Sequence, residues 1–121
     1  MNIEDFRDCC LSVKGATESC PFIDKNILVF KIMDKMFAYI NIVPKDGRFC
    51  ASMKCDPPKS QELREKYAGI THGQHTKADT WNSVYLESDV SGVLIKELIM
   101  HSVEEVIKKL PRKKQKEYFN T

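Results

Sequence analysis

Three apolar runs joined by short polar breaks constrain the fold of this chain most strongly. They cover residues 26–33, 36–42 and 48–54, and they are rich in β-branched and aromatic side chains, which favours strands. Asp34-Lys35 separates the first two runs, and Pro44-Lys-Asp-Gly47 precedes the third as a turn. Because a parallel crossover needs about a dozen residues or more, these connections predict an antiparallel meander of three strands.

Short helical patterns lie on both sides of this meander. Residues 3–14 carry apolar side chains at spacings of three and four, after Asn2 as a candidate cap and before Gly15 as a stop signal. A second helix is predicted over residues 59–67, after the Asp56-Pro-Pro start.

The last third of the chain predicts one more strand and one long helix. Residues 80–86 alternate with strand periodicity, and Ser91 can cap a helix with a wide apolar face that extends to Leu110. Pro111 ends or kinks this helix, and a short basic tail follows. A chain of 121 residues suits one core, so we predict a single α+β domain over residues 1–121. Its antiparallel sheet combines the meander with the later strand, and helices pack on one face.

Cysteine usage and the N-terminus indicate the compartment. The five cysteines are an odd number, which favours reduced thiols over a disulfide framework. The first eight residues are acidic and amphipathic, unlike a secretory signal, and no apolar run approaches the ~18 residues of a membrane span. We therefore expect a cytoplasmic protein that does not associate with membranes.

Charge is concentrated near the C-terminus. Residues 108–116, KKLPRKKQK, carry six basic residues and no acidic one. Removing these six from the 19 Lys and Arg leaves 13 basic residues against 17 acidic ones, a net charge of −4. This run is typical either of a solvated helix end or of a contact with an anionic partner.

The segment before the last predicted strand holds the most suggestive polar residues. His72, His75 and Asp79 could ligate a metal, but zinc needs four ligands and the cysteines form no Cys-x-x-Cys pair, so surface histidines are the preferred interpretation. Cys55, near the start of the second helix, is the best candidate for a reactive thiol, and its alternative role is apolar packing. No phosphate-binding glycine motif is present. We expect neither an enzyme nor a cofactor.

Several short motifs in sequence order resemble the MmcQ/YjbR family, whose members are described as DNA-binding proteins. The resemblance covers nearly the whole chain and rests on these stretches: Lys14-Gly-Ala-Thr-Glu-Ser19, Cys20-Pro-Phe22, Val29-Phe-Lys31, Lys35-Met-Phe-Ala38, Met53-Lys-Cys-Asp-Pro57, Glu62–Ile70, His75 with Trp81–Leu86, Leu98–Val106 and Leu110-Pro-Arg-Lys113. It implies a curved antiparallel sheet packed by helices, similar to secretion-chaperone-like and double-wing DNA-binding domains, and no cofactor. Where the family pattern has Asn-Lys before the tryptophan, this chain has Lys77-Ala78, which displaces the cation by one residue.

The resemblance and the charge pattern together predict weak, largely sequence-independent DNA binding through phosphate contacts. The expected contact residues are His75, Lys77, Arg112, Lys113, Lys114 and Lys116, with Lys54 on the sheet edge as a lesser candidate. The alternative is a protein-interaction domain that uses an open sheet face around Trp81 and Tyr85, although these aromatics could equally pack inside. We expect no small-molecule substrate and a monomer or weak dimer.

Overall fold

The computed structural model describes residues 1–20, 26–44, 46–72 and 80–120. These residues form helices and strands in the following chain order: α1 (Ile3–Leu11), β1 (Thr17–Ser19), β2 (Ile27–Ile32), β3 (Lys35–Asn41), β4 (Cys50–Lys54), α2 (Pro57–Lys66), β5 (Ile70–His72), β6 (Trp81–Tyr85), α3 (Gly92–Lys108) and α4 (Arg112–Phe119).

The first three helices begin at side-chain caps. Asn2 and Ser91 each accept a hydrogen bond from the backbone N–H three residues later, at 2.8 and 3.1 Å. Asp56 does the same for α2 at 3.4 Å, and the prolines that follow it suit the first helical turn. A cap of this kind stabilises a helix by about 1 kcal/mol. By contrast, α4 starts after Pro111 without a side-chain cap.

The strands form one antiparallel sheet in the order β1-β2-β3-β4-β6-β5. The hairpin between β2 and β3 turns at Met33 and Asp34, whose φ angles of 48° and 63° are the positive values that a two-residue primed turn requires. Ile32 therefore pairs with Lys35, and the turn lies one residue earlier than the predicted Asp34-Lys35 break.

One face of the sheet carries the core. Phe30 in β2 meets Phe6 of α1 edge to face, with ring centroids 6.0 Å apart. Farther along the sheet, α3 packs on β3 and β4. The buried residues of these elements belong to one apolar cluster, and its largest fully buried members include Ile40, Ile95 and Ile99. This packing fixes α3 across the central strands.

The predicted α+β class, with an antiparallel sheet and a long C-terminal helix, is confirmed. The sequence did not predict β1 and β5, because they are three-residue strands with largely exposed side chains and show no apolar pattern. The basic tail after Pro111 is a regular helix, α4. Its sequence is mostly polar and does not indicate that Tyr118 is buried. Among the described helices, none has the length and apolar character needed to cross a bilayer.

Candidate nucleic-acid interface

Lysines from three elements converge at one end of the sheet. β3 begins at Lys35 and its antiparallel neighbour β4 ends at Lys54, so both lie at the same end. Partial burial lowers the pKa of Lys54, and the positive charges of Lys109 and Lys35 lower it further, against an opposing effect of Glu105. Lys54 is therefore close enough to both other lysines for their charges to act on it.

The end of β4 is held against α3 by a side-chain hydrogen bond. The hydroxyl of Ser102 donates to the carbonyl oxygen of Lys54 at 2.6 Å, and its oxygen also lies 2.9 Å from the carbonyl oxygen of Leu98 in its own helix. Ser102 is fully buried. This contact fixes where the backbone of Lys54 lies relative to the C-terminal part of α3, which leads to Lys109.

Tyr118 anchors α4 to the end of α1. Its hydroxyl donates to the carbonyl oxygen of Lys14 at 2.9 Å, and the ammonium of Lys14 lies 3.4 Å from the carbonyl oxygen of Phe119 and 5.5 Å from the centroid of the Tyr118 ring. The Tyr118 ring also covers Gly15, where an added Cβ would lie 3.7 Å from it. The C-terminal basic segment is thus a docked helix rather than a loose tail.

Both ends of α4 lie at the same end of the sheet. Thr17 of β1 pairs with Lys31 near the end of β2, so Lys14, three residues earlier, also lies towards that end. The other end of α4 begins three residues after Lys109. We define the basic end as the set of these cations: Lys14, Lys35, Lys54, Lys109, Arg112, Lys113, Lys114 and Lys116.

The cations of α4 are exposed and mostly face away from its anchor. Residues three or four apart share a helix face, so Arg112, Lys113 and Lys116 form one surface opposite Tyr118. Lys114 lies nearer the anchored side and pairs with Glu117 at 3.5 Å. The first turn of α4 contains Arg112, Lys113 and Lys114 and no acidic residue. These positive charges oppose the helix dipole, whose N-terminal end is also positive.

The structure brings together four of the predicted contact residues, Arg112, Lys113, Lys114 and Lys116. His75 and Lys77 lie outside the described residues. The described residues on either side of that segment, His72 and Thr80, lie at the same end of the sheet as Lys54, because His72 pairs with Asn82 and Lys54 pairs with Trp81.

Three residues of the basic end were not selected from the sequence. Lys35 belongs to a hairpin and Lys14 to a helix end, and nothing in their local sequence connects them with the C-terminal run. Lys109 belongs to that run, but only the packing of α3 on β4 brings it near Lys54. The prediction that Lys54 lies on the sheet edge was wrong: it ends β4, which has β3 and β6 as neighbours.

Cys55 has the environment of a packing residue. It is 5% exposed, and burial raises the pKa of its thiol, although contacts with Ser60 and Lys59 act in the opposite direction. The cavity that it lines has a volume of only about 10 Å³. Within the described part of the chain, no three His, Cys, Asp or Glu side chains are grouped to hold a metal ion.

An open groove of about 740 Å³ lies between α2 and β5. Arg64 and His72 face each other there, with the guanidinium Nη1 2.9 Å from the imidazole Nδ1. Pro57 and Ile70 supply part of its apolar lining. The groove does not contain Cys55, so it does not combine the reactive groups that were considered from the sequence.

The sheet face around Trp81 presents little of its aromatic surface. Trp81 is 8% exposed and packs against Tyr39, with ring centroids 5.6 Å apart. Tyr85 is partly buried, and the guanidinium carbon of Arg48 lies 4.1 Å from its ring centroid. Trp81 packs on the opposite sheet face from α3, because its neighbour Asn82 lines a cavity with Leu98 of that helix.

The fold and the charge distribution define a class of small α+β domain, with an open antiparallel sheet, helices on one face and cations at one end. The chain belongs to the YjbR family, whose model matches residues 11–104. The resemblance inferred from the motifs is thereby confirmed.

Relatives and solved structures agree with this assignment. The chain is 26% identical over 116 residues to protein YjbR of Escherichia coli K12, covering 96% of each, and 33% identical over 88 residues to YbdF of Escherichia coli O157:H7, covering 73% of this chain and 70% of YbdF. The crystal structure of Deinococcus radiodurans protein DR2400, a DUF419 domain, superposes with a TM-score of 0.86 at 32% identity, covering 97% of this chain and 87% of that one. A Pseudomonas syringae crystal structure shares the fold with a TM-score of 0.73 at 23% identity, covering 84% and 96%.

Proposed function

We propose that this protein binds DNA weakly and without base specificity, with the basic end on the phosphate backbone. The observation that carries the proposal is the placement of Lys35 and Lys54 at the same end of two paired strands, with Lys109 at the end of the helix that packs on those strands. Like charges that lie near one another repel, and DNA phosphates bound between these lysines would replace that repulsion with attraction.

The docked α4 supports the same proposal. A loose basic tail would lose conformational entropy when it binds, whereas Tyr118 already holds α4 in place. Arg112, Lys113 and Lys116 point outward from the anchored helix, and the placement of Arg112 and Lys113 in its first turn is unfavourable without an anion nearby. A DNA phosphate at this surface would offset that cost.

The sheet-face alternative is less well supported. A protein partner that gripped the sheet around Trp81 would need exposed aromatic surface, and Trp81 is 8% exposed. Tyr85 already stacks with Arg48. We therefore favour the basic end over this face as the binding surface, and we propose a binding rather than a catalytic role.

The salt dependence of binding to a 20-base-pair duplex tests the proposal, with anisotropy of labelled DNA as the measurement. If Lys35, Lys54, Lys109 and the three outward cations of α4 each neutralise a phosphate, log K falls with log salt at a slope of about −5. The double variant Arg112→Gln/Lys116→Gln should reduce the slope by about 2 and weaken binding roughly fiftyfold at 0.1 M salt.

The matched control removes one arginine and one lysine elsewhere. Arg48 stacks on Tyr85, and Lys66 lies at the end of α2. The variant Arg48→Gln/Lys66→Gln should leave both the affinity and the slope unchanged. Equal losses in the two double variants would mean that net charge alone drives binding, and no binding at 20 mM salt would reject the proposal.

A further inference from the structure

The outer surface of α3 carries apolar side chains that the core leaves partly or largely exposed. Val93 is 70% exposed and Met100 is 50% exposed, while Ile107 is partly buried. These residues follow one another at intervals of seven, so they lie along one stripe of the helix. Lys96 and Glu104 flank Met100 on the same outer side, four residues before and after it, and both are exposed.

We infer that this stripe is the contact between two copies of the chain, with the two α3 helices antiparallel and crossing at Met100. In such a pair, residues equally far before and after Met100 face each other across a twofold axis. Val93 then meets Ile107 of the second copy, and Met100 meets its own counterpart. Lys96 meets Glu104 of the second copy, and the symmetry creates that ion pair twice.

The charge pattern favours a second copy in an antiparallel arrangement as the occupant. A parallel pair would place Lys96 against Lys96 and Glu104 against Glu104, which is repulsive. An antiparallel pair shifted by one turn towards the C-terminus would place Lys96 against Lys108. The register centred on Met100 joins opposite charges twice and covers both exposed apolar residues. A register that sets Val93 against Met100 and Lys96 against Glu97 would do the same, but it leaves Glu104 beyond the start of the partner helix.

A depression beside Met100 provides room for the Met100 side chain of the second copy. It has a volume of about 410 Å³ and is lined by Lys59, Lys96, Glu97, Met100, His101 and Glu104. Methionine is flexible and suits an irregular site of this kind. The contact is small, since one pair of helices buries less than the ~1,200 Å² typical of stable interfaces. We therefore expect a weak dimer whose population depends on protein concentration.

Sedimentation equilibrium of the full chain between 10 µM and 1 mM, in 0.1 M salt without nucleic acid, tests the inference. Wild-type protein should dimerise reversibly, and Met100→Lys should abolish the dimer. Lys66→Glu, on α2, is the control and should leave it unchanged. Circular dichroism of each variant checks the fold, which should be retained because the substituted side chains are exposed.

Charge exchange tests the register. Lys96→Glu alone and Glu104→Lys alone should each weaken self-association at least tenfold, since both ion pairs become repulsive. An equimolar mixture of these two variants should associate at least as well as the wild type, because both opposite-charge pairs form again between unlike copies. A wild-type monomer at 1 mM, a dimer that tolerates Met100→Lys, or a mixture that stays monomeric would overturn the inference.

Discussion

The two ends of the sheet use their charges in opposite ways. At the end away from the basic residues, the carboxylate of Asp89 accepts hydrogen bonds from the backbone N–H groups of Ala68 and Gly69, both at 2.8 Å. Glu4 and Asp5 occupy the first turn of α1, where negative charge favours the helix dipole. The N-terminal ammonium lies 3.4 Å from the carbonyl oxygen of Leu86, which places this turn near the end of β6. We call Glu4, Asp5, Glu87 and Asp89 the acidic end.

The basic end has the reverse arrangement. Lys35 and Lys109 make the charged form of Lys54 less stable, and the first turn of α4 carries three positive charges against the dipole. Asp89 and the carboxylates in the first turn of α1 therefore stabilise the fold at the acidic end. At the basic end, the cations beside Lys54 and those in the first turn of α4 are unfavourable for the fold and are suited to binding. Removing Asp89 should cost stability, whereas removing one of these cations should cost binding.

The largest effect on stability is expected at Asp89. Asp89→Ala removes the acceptor of two backbone N–H groups and should lower the free energy of unfolding by about 2 kcal/mol. Urea denaturation measures this change. Glu87→Ala, two residues earlier and exposed, is the control and should change stability by less than about 0.5 kcal/mol. DNA affinity per folded molecule should not change in either variant. A loss of affinity would contradict the claim that only the basic end contributes to binding.

A smaller effect is expected at the anchor of α4. Tyr118→Phe keeps the ring over Gly15 but removes the hydrogen bond to Lys14, so stability should fall by about 1 kcal/mol. Hydrogen exchange of the α4 amides should accelerate before that of α3. If the anchored helix matters for binding, DNA affinity should fall although no charge has changed. Unchanged affinity would show that α4 does not need to be held in place.

Removing the charge of Lys109 is expected to increase stability and to weaken DNA binding. Lys109→Gln removes a like charge beside Lys54, so the pKa of Lys54 should rise and the free energy of unfolding should increase by a few tenths of a kcal/mol at low salt. NMR titration of the Lys54 side chain and urea denaturation measure the two changes. High salt should abolish the gain in stability. Weaker DNA binding in a more stable protein would support a binding role for this cation, and a less stable variant would contradict it.

The smallest expected effect is a pH dependence from His101. Its imidazole Nε2 accepts a hydrogen bond from the backbone N–H of Asp56 at 3.1 Å, which requires the neutral ring. Burial and then the charge of Lys59 lower the pKa of His101 below its ordinary value of 6.5. The unfolded chain therefore binds the proton first as pH falls, so this stability is complete above pH 6.5 and is lost as pH falls through the folded-state pKa. His101→Gln should remove this part of the pH dependence of unfolding, and an unchanged profile would assign it to other groups.

The sequence predicted regular elements well wherever local chemistry determines them. The caps at Asn2 and Ser91 are where the pattern placed them, and the meander follows from connection length alone. The strands β1 and β5 were missed because a three-residue strand is stabilised by its neighbours rather than by its own side chains. The turn at Met33 was missed because methionine is not expected at positive φ.

The candidate site also combines residues that the sequence could predict with residues that it could not. Arg112, Lys113, Lys114 and Lys116 could be predicted because they are adjacent in sequence and exposed. The contributions of Lys14 and Lys35 could not, since they depend on the docking of Tyr118 and on strand order. Asn82 shows a similar limit: it alternates like a surface residue of a strand, but it is 2% exposed beneath α3.

A backbone amide NMR titration with a short DNA duplex at low salt tests the central claim most directly. Graded shift changes should appear at Lys35, Lys54, Lys109 and along α4, with none at Glu87 or Asp89. Adding salt should reverse them together. Shifts centred on the acidic end, or no shifts at any residue with excess duplex, would contradict the assignment of the basic end as a DNA-binding surface.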